Sequence, residues 1–298
     1  MIEVKDAVMQ FDGKNALDGI SLSIPEGCAY GLLGSNGAGK STLLRLLSGI
    51  YRPTSGEVRI DGNEVFDNAL MKERVFFIND ETVQFNNMTL TDMKNYFKRF
   101  YGTFSEELWQ KLYKTLNLPL KKRLNTFSKG MKRQAVVICG IACKTPYLFL
   151  DEAFDGLDPT MRIIVKQMLI DAMMDTGLTV IFSSHNLGEI DEFCDRVGLL
   201  HAGKVVFDRE LDSVKGSVFK IQTAFDAPVT KDSFAGIDVL HLENIGSITH
   251  LIVRGERDEV RAAVEKLSPK LYDEVPLSLE EIFIYEMEVL GYDSSKLG

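Results

Sequence analysis

Apolar and polar positions alternate over Ile2-Glu3-Val4-Lys5 and again over Ile20-Ser21-Leu22-Ser23-Ile24, the period of half-buried strands. Residues 1 to about 27 therefore read as antiparallel strands. The pattern then changes. Cys28-Ala29-Tyr30-Gly31-Leu32-Leu33 is apolar without alternation, as a strand covered on both faces would be. From Lys40 to Leu47, leucines recur at helical spacing. Alternation returns over residues 56 to 62. Residues 91 to 117 are expected to be largely helical, with a cap at Thr91-Asp92. Further helices are expected over 129 to 143, 160 to 175 and 187 to 194. Buried strands are expected over Tyr147-Leu148-Phe149-Leu150-Asp151 and over residues 178 to 183. Two short strands near 196 to 208 would be joined through Gly203-Lys204.

Strands alternating with helices predict an α/β fold with a mostly parallel sheet covered on both faces, led in by antiparallel strands. The segment 85 to 145 forms a helical subdomain in this reading. Periodicity weakens over Leu211 to Ser217, which places the end of the first domain at about residue 215. Residues 216 to 298 then hold strand-like pieces at 218–223 and 248–254 and a helix at 258–267. They predict a small α+β appendage. Pro276-Leu277-Ser278-Leu279-Glu280-Glu281-Ile282-Phe283 reads as the entry to an amphipathic closing helix, with Leu279, Ile282, Phe283 and Glu286 near one side.

Composition narrows the classes. The chain of 298 residues is 45% hydrophobic and 26% charged, as folded domains are. Its net charge of -9 argues against nucleic acid and against a polybasic membrane surface. The cysteines at 28, 139, 143 and 194 lack metal-ligand spacing and read as buried thiols of a reducing cytosol. The opening MIEVKDAVMQF has neither the basic nor the apolar region of a signal peptide. The longest apolar run, Val136 to Cys143, is too short to span a bilayer. Any membrane role would need a separate partner.

The candidate chemistry begins after the first buried strand. Gly34-Ser35-Asn36-Gly37-Ala38-Gly39-Lys40-Ser41, followed by Thr42, fits G-x-x-x-x-G-K-[ST] between a strand and a helix. In such a loop successive backbone N–H groups converge on a phosphate, and the positive end of the helix adds attraction. Lys40 would reach the β- and γ-phosphates, and Ser41 would hold Mg²⁺. The apolar strand Tyr147 to Leu150 ends in Asp151-Glu152. Ligands of open α/β sheets bind beyond the carboxyl ends of the strands, which puts these acids beside the loop. Asp151 suits Mg²⁺, directly or through water. Glu152 suits a general base for an attacking water. Ser128-Lys129-Gly130 opens a basic helix and offers a hydroxyl, free N–H groups and a favourable dipole, a second anion site.

With these motifs in order, the chain resembles the nucleotide-binding subunit of an ABC transporter, over residues 1 to about 215. Phe127-Ser128-Lys129-Gly130-Met131 stands where that family writes L-S-G-G-Q, in a form similar to bacterial exporter and antimicrobial-peptide-resistance ATPases. The resemblance implies a P-loop NTPase cassette using ATP and Mg²⁺. It implies that Phe11 stacks on adenine, that Gly156-Leu157-Asp158 links two active sites, and that His185 contacts the γ-phosphate. It implies a second ATPase subunit, identical or not, with each ATP held between the loop of one chain and Ser128-Gly130 of the other. It also implies a transmembrane permease as partner, and a cytoplasmic place at the inner face of the membrane. Two positions depart from the family. Asp80 stands where Gln, sometimes Glu, touches Mg²⁺ and the membrane partner, with Gln84 a less suitable substitute. Lys129 adds a cation where the family has glycine. A soluble ABC-type ATPase outside transport and a non-hydrolysing regulatory subunit are the alternative readings. The first usually carries two cassettes or a long coiled-coil insertion. The intact Asp151-Glu152 pair and His185 argue against the second.

Overall fold

The structure is a computed structural model that describes residues 1–79, 85, 87–227, 229–289 and 291. The chain forms two compact units, Met1–Asp208 and Arg209–Gly298.

The first unit opens with β1 (Ile2–Phe11) and β2 (Lys14–Ile24), paired antiparallel as the alternation predicts. Next come β3 (Ala29–Leu33), α1 (Lys40–Leu47), β4 (Ser55–Ile60), β5 (Asn63–Glu64), α2 (Ala69–Lys72) and β6 (Val75–Ile78). Three helices follow, α3 (Leu90–Phe100), α4 (Glu106–Thr115) and α5 (Lys129–Ala142). The unit continues through β7 (Tyr147–Asp151), α6 (Pro159–Thr176), β8 (Thr179–Ser183), α7 (Leu187–Phe193), β9 (Arg196–His201) and β10 (Lys204–Glu210).

Two sheets result. One has the order β2-β1-β4-β5, and the other β10-β9-β3-β8-β7-β6. In the second, the pairs β6/β7, β7/β8, β8/β3 and β3/β9 are parallel. Every residue of β3, β7 and β8 is buried, which is why these segments are apolar without alternation. Leu43, Leu44 and Leu47 of α1 join Tyr30, Leu32, Phe149 and Ile181 in one core. That packing sets the start of α1 beside the carboxyl ends of β3 and β7.

The region expected to be helical over 91 to 117 is two helices. Ser105 caps the second by accepting from the Leu108 amide at 3.2 Å. The first begins earlier than expected. Thr89 is its cap, accepting from the Asp92 amide at 3.1 Å while Asp92 accepts from the Thr89 amide at 2.9 Å. Asp92 thus closes the capping box from inside the helix. Both α3 and α4 pack against α5. All four cysteines are buried and free. Burial pushes the Cys28 thiol up to about 11 and the Cys139 thiol up to about 12, so neither is a ready nucleophile. No helix among the described residues is long and apolar enough to cross a membrane.

The second unit holds α8 (Leu211–Ser217), β11 (Val218–Ala224), β12 (Asp238–Ile245), β13 (Ile248–Arg254), α9 (Arg257–Glu265), β14 (Leu271–Val275) and α10 (Leu279–Val289). Its sheet has the order β12-β13-β11-β14, antiparallel throughout. Phe219, Ile221, Leu251 and Val253 bury one face against Val260 and Val264 of α9. Ser278 and Glu281 cap α10 reciprocally. On that helix Leu279 and Ile282 are buried, and Glu286 pairs with Arg254 at 2.6 Å.

Candidate active site

The glycine loop joins β3 to α1. Gly34 has φ 149°, and a side chain there would strike the Leu200 carbonyl and come within 2.9 Å of Ala38 Cβ. Only glycine tolerates both the conformation and the contact. Gly34→Ala is expected to destabilise this unit by about 2 kcal/mol or more, visible as a lower urea midpoint. The loop is fastened at its far end, where the Gly203 amide donates to the Ala38 carbonyl at 3.1 Å.

Lys40 is only 6% exposed. Its ammonium donates to the carbonyls of Gly34 at 2.6 Å and Ser35 at 3.2 Å. Burial pushes its pKa down from the ordinary lysine value, while the Glu152 and Asp151 carboxylates pull it up. Among the described residues it has no ion pair. A buried cation held by neutral carbonyls, on a loop of amides at a helix start, suits the phosphates of a nucleotide.

Asp151 is fully buried. Its Oδ1 accepts from Ser41 Oγ at 3.1 Å and from Ser183 Oγ at 2.6 Å. Its Oδ2 is buried and has no hydrogen-bond partner among the described residues. Leaving a carboxylate oxygen unpaired in the interior is costly. A hard divalent cation, with Ser41 and Asp151 as oxygen ligands or holding its waters, removes that cost. The residues present therefore fit Mg²⁺.

Glu152 turns away from the strand at φ 48°, in the left-handed region that acids other than Asp rarely adopt. Its amide donates to the Ser183 carbonyl at 3.2 Å and to Ser183 Oγ at 3.1 Å. Ser183 thus ties both acids to the end of β8, a role its place before Ser184-His185 does not announce. His185 is exposed, with Nδ1 3.9 Å from Glu152 Oε1. Carboxylate oxygens of Glu152 and Asp155 and a ring nitrogen of His185 lie within 4.8 Å of one another. Asp155 was not singled out from sequence. The turn that aims it, with its amide on the Glu152 carbonyl at 3.2 Å, has no letter pattern of its own.

The structure thus gathers Lys40, Ser41, Asp151, Glu152 and His185 around the ends of β3, β7 and β8. Ser128, Lys129 and Gly130 form a separate group. Ser128 caps α5, accepting from the Met131 amide at 3.1 Å, and both Ser128 and Lys129 are exposed. A side chain on Gly130 would come within 2.6 Å of the Gly156 carbonyl. Glycine there lets this turn close onto Gly156-Leu157-Asp158. No hydrogen bond or ion pair among the described residues ties Ser128 or Lys129 to residues 34–42. Phe11 ends β1, is 41% exposed and meets Tyr51 edge-on with ring centres 5.3 Å apart. Asp80 and Gln84 lie outside the described residues. The Asn79 carbonyl before them accepts from buried Arg133 of α5.

Comparison with known proteins finds ATP-binding proteins of ABC transporters. A family model described as ABC transporter matches residues 17–155. The ABC transporter ATP-binding protein YtrB of Bacillus subtilis (strain 168) is 29% identical over 284 residues, covering 95% of this chain and 97% of that protein. The daunorubicin/doxorubicin resistance ATP-binding protein DrrA of Streptomyces peucetius is 31% identical over 223 residues, covering 73% of this chain and 67% of that protein. A solved ATP-binding subunit of an ABC transporter superposes with TM-score 0.67 at 26% identity, over 72% of this chain and 92% of that one.

Proposed function

The chain belongs to the ABC transporter family as an ATP-binding, ATP-hydrolysing subunit, and we propose that it works as one half of a head-to-tail pair that drives a separate transmembrane permease in export. The observation that carries the site assignment is the buried Asp151 carboxylate, held by Ser41 and Ser183 with Oδ2 left over, between Lys40 and Glu152.

In this reading Lys40 and the amides of residues 34–42 hold the phosphates. Ser41 and Asp151 hold Mg²⁺, which when bound neutralises charge on the phosphate oxygens. Phe11 offers its exposed ring to adenine. Glu152 accepts the proton of the water that attacks the γ-phosphorus, giving ADP and phosphate. His185, beside Glu152 at 3.9 Å, donates to the γ-phosphate.

The second subunit is supported by the separation of the anion sites. Lys40 is buried within its loop, whereas Ser128 and Lys129 are exposed at the start of α5. An exposed site of that kind can close on a nucleotide held by another chain, with Lys129 adding positive charge. A membrane partner is supported by a shallow groove rich in aromatic side chains, lined by Ala69, Tyr96, Phe97, Phe100 and Tyr101, where Phe100 is 57% exposed. Export is supported by the resistance role in the name of the Streptomyces relative. Such a subunit would lie in the cytoplasm against the inner face of the membrane.

Asp151→Asn tests the assignment. The amide still accepts from Ser41 and Ser183 but loses the charge that suits a divalent cation. The Mg²⁺ concentration for half-maximal ATPase activity is expected to rise at least about tenfold. An unchanged Mg²⁺ dependence would remove Asp151 from the metal site.

A further inference from the structure

We propose that Arg162 is a positioning residue that couples the Gly156-Leu157-Asp158 turn to the loop carrying His185. The proposal rests on the placement of Glu152 and His185 at the hydrolysis centre.

Arg162 stands on α6 and uses its guanidinium in two directions. Nε donates to the Leu157 carbonyl at 3.1 Å. The NH1 nitrogen donates to Glu189 Oε1 of α7 at 2.8 Å. Glu189 is itself 5% exposed. Its other oxygen accepts from Ser184 Oγ at 2.7 Å. That hydroxyl accepts in turn from the Asn186 amide at 2.9 Å. The residues on both sides of His185 are therefore held through Glu189, and Glu189 is held by Arg162. Among the described residues His185 itself makes no such bond, and it leans toward Glu152 at 3.9 Å.

The other end of this run reaches the exposed turn at 128–130. The Gly156 carbonyl lies against Gly130, and the stem of Lys129 lies against Gly156. One chain thus carries an unbroken series of contacts: Gly130, Gly156, Leu157, Arg162, Glu189, Ser184 and the His185 loop. A nucleotide that a second subunit brings to Ser128 and Lys129 presses on one end. The displacement at the other end sets the distance of His185 from the γ-phosphate. A guanidinium suits the junction because its donors form a rigid fork, and a buried carboxylate opposite makes a strong charge-assisted pair. Lysine offers a point charge that can satisfy Glu189 or the Leu157 carbonyl, but not both in this geometry.

Arg162→Met keeps the stem and removes the donors. In the complete protein, steady-state hydrolysis should show kcat down about tenfold, a change of about 1.4 kcal/mol, with KM for ATP within about twofold. Glu189→Gln should do the same. The double variant should be no slower than either single variant, because the pair acts as one link. Arg162→Lys should recover part of the loss. A wild-type kcat in Arg162→Met overturns the proposal. So do multiplying losses in the double variant, or a joint loss of ATP affinity and kcat. If Arg162→Met does not fold, Glu189→Gln decides by the same criteria. His185→Ala in the same assay separates the two levels. A wild-type rate there would sink the hydrolysis centre itself. A slow His185→Ala beside an unaffected Arg162→Met sinks only the coupling.

Discussion

Lys40→Ala is expected to weaken Mg-ATP binding at least about 100-fold, close to 2.7 kcal/mol. The size follows from the setting of the ammonium. It is almost fully enclosed, its partners are the Gly34 and Ser35 carbonyls, and it sits where the loop amides and the start of α1 converge. Charge-assisted hydrogen bonds to phosphate at such a place are worth more than at an exposed one. Alanine also leaves the two carbonyls without their donor, so the empty loop loses shape as well as charge. Calorimetric titration with Mg-ATP reads the effect. Near-normal affinity would remove residues 34–42 from the nucleotide site.

The parts of the site that sequence makes visible are those built from neighbours along the chain. The loop at 34–42, the Asp151-Glu152 strand end and Ser183-Ser184-His185 each combine a burial pattern with adjacent chemistry. The buried strands β3, β7 and β8 were legible for the same reason, since a strand covered on both faces is apolar at every position. What stayed hidden depends on distance. Arg162 and Glu189 lie 27 positions apart, and neither stands in a motif. Asp155 reaches Glu152 and His185 only through the turn after β7. The helices expected over 91–117 separate at Ser105 because a serine cap outweighs a weakly broken periodicity. Strands β12 and β14 carry few buried positions, so their alternation is faint. They are fixed by pairing with β13 and β11. Gly130 reads in sequence as part of an anion site, yet its place against the Gly156 carbonyl gives it a packing reason too.

Glu152→Gln has the other large expected effect. The substitution keeps the length and shape of the side chain, and the backbone ties to Ser183 stay available. The amide cannot take the proton of the attacking water. Loss of a general base is worth about 100-fold or more in rate. ATP should still bind, because Lys40, Ser41 and Asp151 are untouched. Hydrolysis is what reopens the proposed pair, so this variant with Mg-ATP should sediment as a dimer, and with Mg-ADP should not.

The most direct test of the hydrolysis centre is the turnover number of Glu152→Gln at saturating Mg-ATP, measured beside ATP affinity and wild type. Assignment of the base to Glu152 predicts a kcat lower by at least about 100-fold with affinity within about threefold. A variant that turns over within about twofold of wild type would place the base elsewhere and contradict the assignment.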